Sequence, residues 1–270
     1  MSKYIETNKM LWETKTGFHL KSDFYQMEAF KAGKNMLKPI ELQGLGEVSG
    51  KSLLHLQCHF GQDSLCWARL GANVTGIDFS EKSIAAARSL SKELGIDARF
   101  LISDVLELQD NLEGQFDIVY TSYGVLGWLP DLDRWAKVIA HFLKPGGTFY
   151  IAEFHPFLYI HEFDDQKIAY PYFNPGVPFE EEEEGTYADP SAQIKQKEYF
   201  WMHSLSEVFQ ALFKVGLEIK DFREYDFSPY NCLPHMVERK KGEFIYGDYG
   251  VNLPHVFAIK ARKSQELSIS

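Results

Sequence analysis

The 270-residue chain has few cysteines, no long apolar run and no excess of basic residues. Its three cysteines, Cys58, Cys66 and Cys232, form no CxxC pair, so we expect neither a disulfide framework nor a cysteine zinc site. No segment approaches the ~20 apolar residues that a membrane-spanning helix needs, and the N-terminus lacks the apolar core of a signal peptide. We therefore expect a soluble, cytoplasmic protein with no membrane partner.

Basic residues are outnumbered, with 28 Lys and Arg against 38 Asp and Glu, and the net charge is −10. Proteins that bind nucleic acids usually present a basic face to the phosphates, so this balance predicts no nucleic-acid partner. Residues 153–203 hold eleven acidic residues and three lysines, which account for most of the negative charge. Within this segment the five consecutive glutamates at 180–184 predict a solvated loop.

Strand and helix patterns alternate through the middle of the chain. Ser80 is a favoured N-cap and Gly95 a favoured C-cap for the helix between them, and Ser204 with Glu207 has the spacing of a capping box. The predicted strands are 52–57, 73–79, 98–102, 116–120, 148–152, 217–222 and 255–261, and the predicted helices are 61–70, 81–94, 132–143 and one that follows Ser204. This alternation predicts an α/β fold, with a doubly wound parallel sheet covered by helices on both faces.

The flanking segments lack this rhythm and suggest a division into parts. Residues 1–50 are predicted to form an N-terminal cap of short helices on a core built from 51–153 and 204–263. Residues 154–203, rich in proline and aromatic residues, are predicted to be an inserted lid after the fifth strand, with one candidate strand at 194–201. Residues 264–270 are expected to form a flexible tail.

A binding site is expected where the strands of the sheet end. Open α/β sheets bind ligands beyond the carboxyl ends of their strands, at the point where the strand order reverses. The turn 55–61 leads into a helix, Asp78 ends the second strand, and Asp104 follows the third. A carboxylate in the position of Asp78 can accept both hydroxyls of a ribose, and a polar residue in the position of Asp104 can reach the amine of adenine. Either acid alone is more often a capping or loop carboxylate, but the two together indicate an adenosine site.

Five motifs carry a resemblance to a known family. They are LLHLQCHFG at 53–61, VTGIDFS at 74–80, FLISDV at 100–105, FDIVYTSYGVL at 116–126 and LKPGGTFYIAE at 143–153. With them the chain resembles the class I S-adenosylmethionine-dependent methyltransferases, closely over residues 50–153 and in outline over 204–262. The resemblance implies a Rossmann-like, seven-stranded sheet with strand seven antiparallel between strands five and six. It also implies S-adenosylmethionine as cofactor, S-adenosylhomocysteine as product, no metal, and in-line methyl transfer to an unidentified small molecule.

The first motif departs from the family pattern, an acid followed by glycines at alternate positions. His55 stands at the position of the acid, Gln57 and His59 stand at the first two glycine positions, and only Gly61 is kept. Gln57 and His59 must therefore adopt backbone angles that suit glycine, or fill space around the methionine part of the cofactor. This variant motif resembles a bacterial-type subgroup of small-molecule methyltransferases whose acceptors are mostly unassigned.

The resemblance implies a set of cofactor-binding residues at the ends of the first four strands. They are His55, Gln57, Cys58, His59, Gly61, Asp78, Phe79, Ser80, Ser103, Asp104, Val105, Thr121, Ser122 and Tyr123. His55 and His59 flank a turn and lack a third ligand at metal spacing, so we expect them to line the cofactor pocket and to bind no metal.

Acid–base candidates are fewer, because methyl transfer needs a general base only when the acceptor must lose a proton. His155, directly after the fifth strand, is the first candidate, since histidine titrates near neutral pH; a role in capping the strand end explains it equally well. Tyr25 and Tyr123 are the other candidates. Aromatic residues are expected to form the acceptor walls: Phe24, Tyr25, Tyr123, Trp128, Phe154, Phe157, Tyr159, Tyr170, Tyr172 and Phe173.

Two other functions are weighed against methyl transfer. A nicotinamide-dependent oxidoreductase needs G-x-G-x-x-G around the pyrophosphate, and this chain has Gln57, His59 and Gln62 at those positions. A non-catalytic cofactor-binding domain would explain the missing glycines. The sequence leaves open the acceptor and its reacting atom, and whether the protein is a monomer or a homodimer.

Overall fold

The computed structural model describes residues 2–247 and 252–265. A seven-stranded sheet forms its centre, in the order β3-β2-β1-β4-β5-β11-β8. The first five strands run parallel, and β11 is antiparallel to both β5 and β8. The prediction of an α/β sheet with its last strand antiparallel between the fifth and sixth is confirmed. The strands are β1 (Ser52–His55), β2 (Asn73–Asp78), β3 (Arg99–Ile102), β4 (Phe116–Ser122), β5 (Leu143–Phe154), β8 (Leu217–Tyr225) and β11 (Val256–Lys263).

Helices cover both faces of the sheet, as expected for a doubly wound fold. One apolar core includes Trp135 and Leu212, and the other includes Phe30 and Trp67. The helices are α1 (Lys3–His19), α2 (Met27–Lys31), α3 (Pro39–Leu45), α4 (Gln62–Arg69), α5 (Glu81–Leu94), α6 (Leu132–Phe142) and α7 (Leu205–Lys214). The Ser80 and Ser204 side chains cap α5 and α7, and each accepts a hydrogen bond from the backbone N–H three residues later. No helix among the described residues is long and apolar enough to cross a membrane.

The N-terminal cap differs from the prediction, because α1 is not short but spans 17 residues. Its sequence has no clear apolar stripe, so helix periodicity could not reveal its length. Tertiary contacts stabilise it instead: Asn8 bonds to the backbone of Tyr199, and the Thr16 and Ser83 hydroxyls lie 2.7 Å apart. Packing of this kind decides helix stability more often than intrinsic propensity does.

The prediction of a solvated loop at 180–184 is wrong. Phe179–Glu184 is a strand, β6, that pairs antiparallel with β7 (Lys195–Phe200), and the strand expected at 194–201 is confirmed. Lys197 binds Glu180 across the hairpin, and Lys195 lies 2.7 Å from Glu184. Opposite charges facing each other across a strand pair offset the repulsion along the glutamate run, which sequence composition alone did not reveal.

A second hairpin lies between β8 and β11. Met236–Lys240 (β9) and Glu243–Tyr246 (β10) form this hairpin, in a region where the sequence showed no pattern. Of the expected tail, residues 266–270 lie outside the described residues. The role of residues 154–203 as a lid stays a prediction.

Asn8 closes the free edge of β7. Its side-chain amide donates to the Tyr199 carbonyl at 2.7 Å and accepts from the Tyr199 N–H at 2.9 Å, and Asn8 is fully buried. We expect Asn8→Ala to lower the free energy of unfolding by about 2–4 kcal/mol, because it leaves two buried backbone groups without partners. Thr7→Ala, which removes only an exposed bond to Lys3, should change it by less than about 0.5 kcal/mol. Urea unfolding of both variants measures the difference, and equal effects would contradict this role of Asn8.

Candidate functional site

A cavity of about 420 Å³ lies at the carboxyl ends of β1 to β4. The sheet ends form its floor, while α1, residues 24–25 and the β6–β7 hairpin supply walls. Twelve of the fourteen expected cofactor-binding residues line it: His55, Gln57, Cys58, His59, Gly61, Asp78, Phe79, Ser103, Asp104, Val105, Ser122 and Tyr123. A cavity of this size suits a small molecule.

The other two expected residues do not line the cavity. Ser80 is buried, and its hydroxyl caps α5 by accepting from the Ser83 N–H at 3.1 Å. Thr121 is buried, and its hydroxyl donates to the Leu56 carbonyl at 3.2 Å. Both residues hold the backbone around the cavity through their hydroxyl groups.

The turn between β1 and α4 adopts glycine-like conformations at the positions where the pattern that it resembles has glycine. Gln57 has φ of 54°, His59 of 51° and Gly61 of 75°, all in the left-handed region. For a residue with a Cβ this region costs of order 1–3 kcal/mol, so the surroundings must hold the turn in place. The Asp78 carboxylate does so by accepting from the His59 N–H at 2.9 Å. The expectation that Gln57 and His59 adopt glycine-like angles is confirmed.

Asp78 and Asp104 end up at the same side of the cavity. Asp78 accepts two backbone hydrogen bonds, from His59 and Ser80, one at each oxygen, which leaves lone pairs for a ligand. Burial raises the pKa of Asp78 to about 6. Asp104 caps the short helix after β3 by accepting from the Leu106 N–H at 2.9 Å, and burial raises its pKa too. Raised pKa values of carboxyl groups in a cleft are typical of functional sites.

A chain of hydrogen bonds connects α1 to the turn. The His59 ring bonds to His19 on one side and to the Ser83 hydroxyl on the other, both at 3.0 Å. Burial lowers the pKa of His19 to about 3 and lowers that of His59 as well. His55 is buried too, bonds to the Ser64 hydroxyl at 2.7 Å, and has its pKa lowered by burial to about 3. All three rings are therefore neutral at pH 7.

The structure does not bring His155 to the cavity. Its Nε2 lies 2.9 Å from a Glu224 oxygen, and its Nδ1 accepts from the Phe157 N–H at 3.1 Å. Both ring nitrogens therefore have partners in the protein, and the geometry fits the alternative role at the strand end.

Tyr25 and Tyr123 do line the cavity. The Tyr25 hydroxyl bonds to that of Tyr187, and the Tyr123 hydroxyl donates to Glu41 at 3.1 Å. Burial raises the pKa of both tyrosines well above the usual value, so neither hydroxyl ionises readily at neutral pH. Their positions suit binding of an acceptor better than removal of its proton.

Glu153, at the end of β5, holds the loop after β4. Its buried carboxylate accepts from four backbone N–H groups, those of Gly124, Val125, Leu126 and Phe154. Burial raises its pKa, and these hydrogen bonds oppose that shift. The Glu153 carboxylate therefore holds three consecutive residues of the loop beside Tyr123.

Seven of the ten expected acceptor-wall residues line the cavity: Phe24, Tyr25, Tyr123, Trp128, Phe154, Tyr159 and Tyr170. Phe157, Tyr172 and Phe173 do not, and Phe173 is largely exposed. Sequence reasoning missed Lys38, Asp63, Tyr187, Tyr230 and Cys232, which also line it. Only Asp63 carried a usable signal, as an acid in the first turn of the helix after the motif.

No group of three or more His, Cys, Asp or Glu side chains within residues 2–247 and 252–265 is arranged to hold a metal ion. The three cysteines in this range are free thiols.

Gly61 is the only glycine in the turn 55–61, and a Cβ at this position would have no room. A methyl group there would lie 2.6 Å from Phe100 and 2.9 Å from Ala87. We expect Gly61→Ala to lower the free energy of unfolding by about 1–3 kcal/mol more than Gly95→Ala, because overpacking adds to the backbone strain. Gly95 has a similar φ, +63°, and nothing within 4 Å of the place where a Cβ would lie, so it isolates the backbone cost. Urea unfolding measures both, and equal losses would show that the turn has spare space.

The buried neutral His55 makes the fold sensitive to acid. Its pKa, about 3 when folded, lies below the usual 6.5, so between these values the unfolded chain binds more protons and the free energy of unfolding falls as the pH is lowered. From pH 7 to pH 5 this costs about 2 kcal/mol for one such histidine. The difference in unfolding free energy between the wild type and His55→Asn should shrink by that amount over this range in urea titrations. A difference that stays constant with pH would contradict the prediction.

Comparison with known proteins shows a similarity over the part of the chain that forms the first strands of the sheet. Residues 53–147 match a family model described as a methyltransferase domain. The ubiquinone biosynthesis O-methyltransferase of Bordetella avium (strain 197N) is 35% identical over 115 residues, which cover 41% of this chain and 47% of that protein. The chain thus matches about half the length of this curated relative.

Solved structures share the fold at low identity. A SAM-dependent methyltransferase from Methanosarcina mazei superposes with a TM-score of 0.56 at 21% identity, covering 85% of this chain and 99% of that one. The [4+2]-cyclase SpnF superposes with a TM-score of 0.55 at 18% identity, covering 84% of this chain and 80% of that one. The second match shows that this fold alone does not define a reaction.

The match at 53–147 extends over the turn after β1 and the ends of β2, β3 and β4, which line the cavity. Residues 53–147 are therefore similar to a methyltransferase domain, and the sheet has the fold of the solved S-adenosylmethionine-dependent methyltransferase from Methanosarcina mazei.

Proposed function

We propose that the protein is a methyltransferase that binds S-adenosylmethionine in the cavity and transfers its methyl group to a small molecule. The observation that carries the proposal is the convergence of Asp78, Asp104 and the left-handed turn on one cavity of about 420 Å³. This volume lies within the range of small-molecule sites, which supports a small acceptor.

The residues present fit an adenosyl ligand. Asp78 has lone pairs for the two ribose hydroxyls, and Ser103 and Asp104, which line the same cavity, are proposed to contact the adenine amine. Phe79 and Val105 supply apolar surface for a flat ring at the same end. The Gln57 Oε1 atom is buried and has no hydrogen-bond partner among the described residues, so it is placed to accept from a ligand.

When bound, the sulfonium of the cofactor supplies an electrophilic methyl carbon. The protein contributes position, because holding two reactants at attack distance in a closed site lowers the barrier by several kcal/mol. Tyr25, Tyr123 and Trp128 contribute walls that exclude water from that region. Glu153 fixes the loop that carries Tyr123 and Trp128, so its carboxylate sets the position of these walls.

The name of the Bordetella relative and the aromatic walls of the cavity suggest which class of acceptor to test. The Bordetella relative is named as an O-methyltransferase, which makes hydroxyl compounds the first acceptors to screen. The aromatic walls favour a ring-bearing acceptor. Residues 154–203 are proposed as the lid over it, since Tyr159, Tyr170, Glu181 and Phe200 from this segment line the cavity. A monomer or homodimer without a nucleic-acid partner remains our expectation.

Calorimetric titration with S-adenosylmethionine and S-adenosylhomocysteine tests the proposal. We expect micromolar binding of both, no binding of NADH, and at least about 10-fold weaker binding in Asp78→Asn, since loss of one charged hydrogen bond is worth that factor. Asp110→Asn, an exposed carboxylate outside the cavity, is the matched control. Thermal melting checks that each variant is folded.

Transfer of labelled methyl from S-adenosylmethionine to phenolic acceptors then separates an enzyme from a domain that only binds the cofactor. Binding without transfer to any hydroxyl, amine or thiol acceptor would favour the non-catalytic alternative. The absence of adenosyl binding in the folded wild type would overturn the proposal.

A further inference from the structure

Two opposite charges line the cavity without meeting each other. Lys38 is the residue before α3, and Asp63 lies in the first turn of α4. Among the described residues neither the Lys38 ammonium nor the Asp63 carboxylate has an ion pair or a hydrogen bond. Each charge nevertheless affects the other, since Lys38 opposes the effect of burial on the pKa of Asp63. A mostly buried charge without a partner is costly, so this pair calls for an explanation.

The surroundings of the pair leave the charges uncompensated. The Lys38 ammonium lies 4.3 Å from the centroid of the Tyr230 ring, a cation–π contact that keeps it at the cavity wall. Burial lowers the pKa of Lys38 and raises that of Asp63 to about 6. Burial is the largest cause of both shifts, and the attraction between the two charges offsets it only in part.

Lys38 lies near the end of β4, and in the sheet β1 separates β4 from β2, which ends at Asp78. Glu41, three residues after Lys38, accepts from Tyr123 at the end of β4, and Tyr230 packs on the same Tyr123 ring at 5.0 Å. In the sheet β4 is two strands away from β2, which is about 10 Å at the usual strand spacing. A ligand whose ribose binds Asp78 therefore points its other end toward Lys38 and Asp63.

The first motif lacks the acid of the family pattern, which gives a reason for a second acid, Asp63, to line the cavity. The family pattern has an acid at the end of β1, and here that position is His55, which is buried and neutral at pH 7. Asp63 brings a carboxylate to the same cavity from the following helix instead. The unpartnered Gln57 Oε1 atom is a further acceptor on this turn.

We propose that Lys38 and Asp63 bind the two charges of an α-amino acid group, with the Lys38 ammonium holding the carboxylate and the Asp63 carboxylate holding the ammonium. The inference rests on the proposed function, since that group is then the methionine end of the adenosyl ligand. The carboxylate and ammonium of one amino acid are separated by a single carbon, so they can bridge two side chains that do not reach each other. The first turn of α4 and the N-terminal segment thus replace the acid that the motif lacks.

Two ligands that share the adenosine part separate this inference from the proposed function. S-adenosylhomocysteine carries the amino acid group and 5′-methylthioadenosine lacks it. Calorimetry with both ligands on the wild type, Lys38→Met and Asp63→Asn measures the contribution of the pair. The matched control is Lys34→Met, an exposed lysine that bonds only to Gln26.

We expect Lys38→Met and Asp63→Asn each to weaken S-adenosylhomocysteine binding by about 10- to 100-fold, the usual effect of one charged hydrogen bond. Binding of 5′-methylthioadenosine should stay within about twofold of the wild type, which also shows that the variants are folded. Lys34→Met should change neither affinity. Asp78→Asn should weaken both ligands, because both carry the ribose.

Other results would overturn the inference in distinguishable ways. Equal weakening of both ligands by Lys38→Met and Asp63→Asn would show that the pair only supports the fold. Unchanged S-adenosylhomocysteine binding in both variants would show that the pair does not touch the ligand, while the proposed function stands. Binding of neither ligand to the wild type would overturn the inference together with the proposed function.

Discussion

The turn between β1 and α4 must pass through left-handed conformations at Gln57, His59 and Gly61, and the site is built around that constraint. Two of these residues carry side chains, so strain that glycine avoids has to be offset by neighbouring contacts. Asp78 supplies one of them through the His59 N–H, and the Cys58 N–H bonds to the Ile77 carbonyl at 2.8 Å. The same carboxylate lines the cavity, where we propose that it accepts hydrogen bonds from the ribose hydroxyls. One residue thus holds the turn and is available to a ligand.

Side chains at the glycine positions change how the N-terminal segment joins the site. The His59 ring contacts His19 of α1, a partner that a glycine would not have. The Gln57 amide donates to the Val125 carbonyl at 3.1 Å, and Val125 is held in turn by Glu153. The variant motif thus ties the first turn to α1 and to the loop after β4, which explains how the turn is retained with side chains at two of the glycine positions.

Much of the architecture could be predicted because its signals are local. The helix that begins at Ser80 and ends at Gly95 has favoured capping residues at both ends, and LKPGG precedes the buried part of β5. Alternating strands and helices then determine a parallel sheet whose carboxyl ends lie together. For the same reason most of the expected cofactor residues, such as Asp78 and Asp104, were found in one cavity.

The errors share a cause, which is that distant contacts decided the outcome. The glutamates of β6 form a strand because Lys195 and Lys197 face them across the hairpin, and α1 is long because β7 and α5 pack against it. The position of His155 after β5 was predicted correctly, yet its ring bonds to Glu224 on β8 and does not line the cavity.

By itself the sequence determined the order of strands and helices, the resemblance to a methyltransferase domain, and the acids at the ends of β2 and β3, because caps, periodicity and motifs act over a few residues. Only the tertiary structure decided which charges face the cavity without partners and which are satisfied by the backbone. Lys38 and Asp63 are 25 positions apart in the chain, and Glu153 follows the loop that it holds by about that distance. Burial and electrostatic compensation depend on all neighbours in space, and no local pattern in a sequence encodes them.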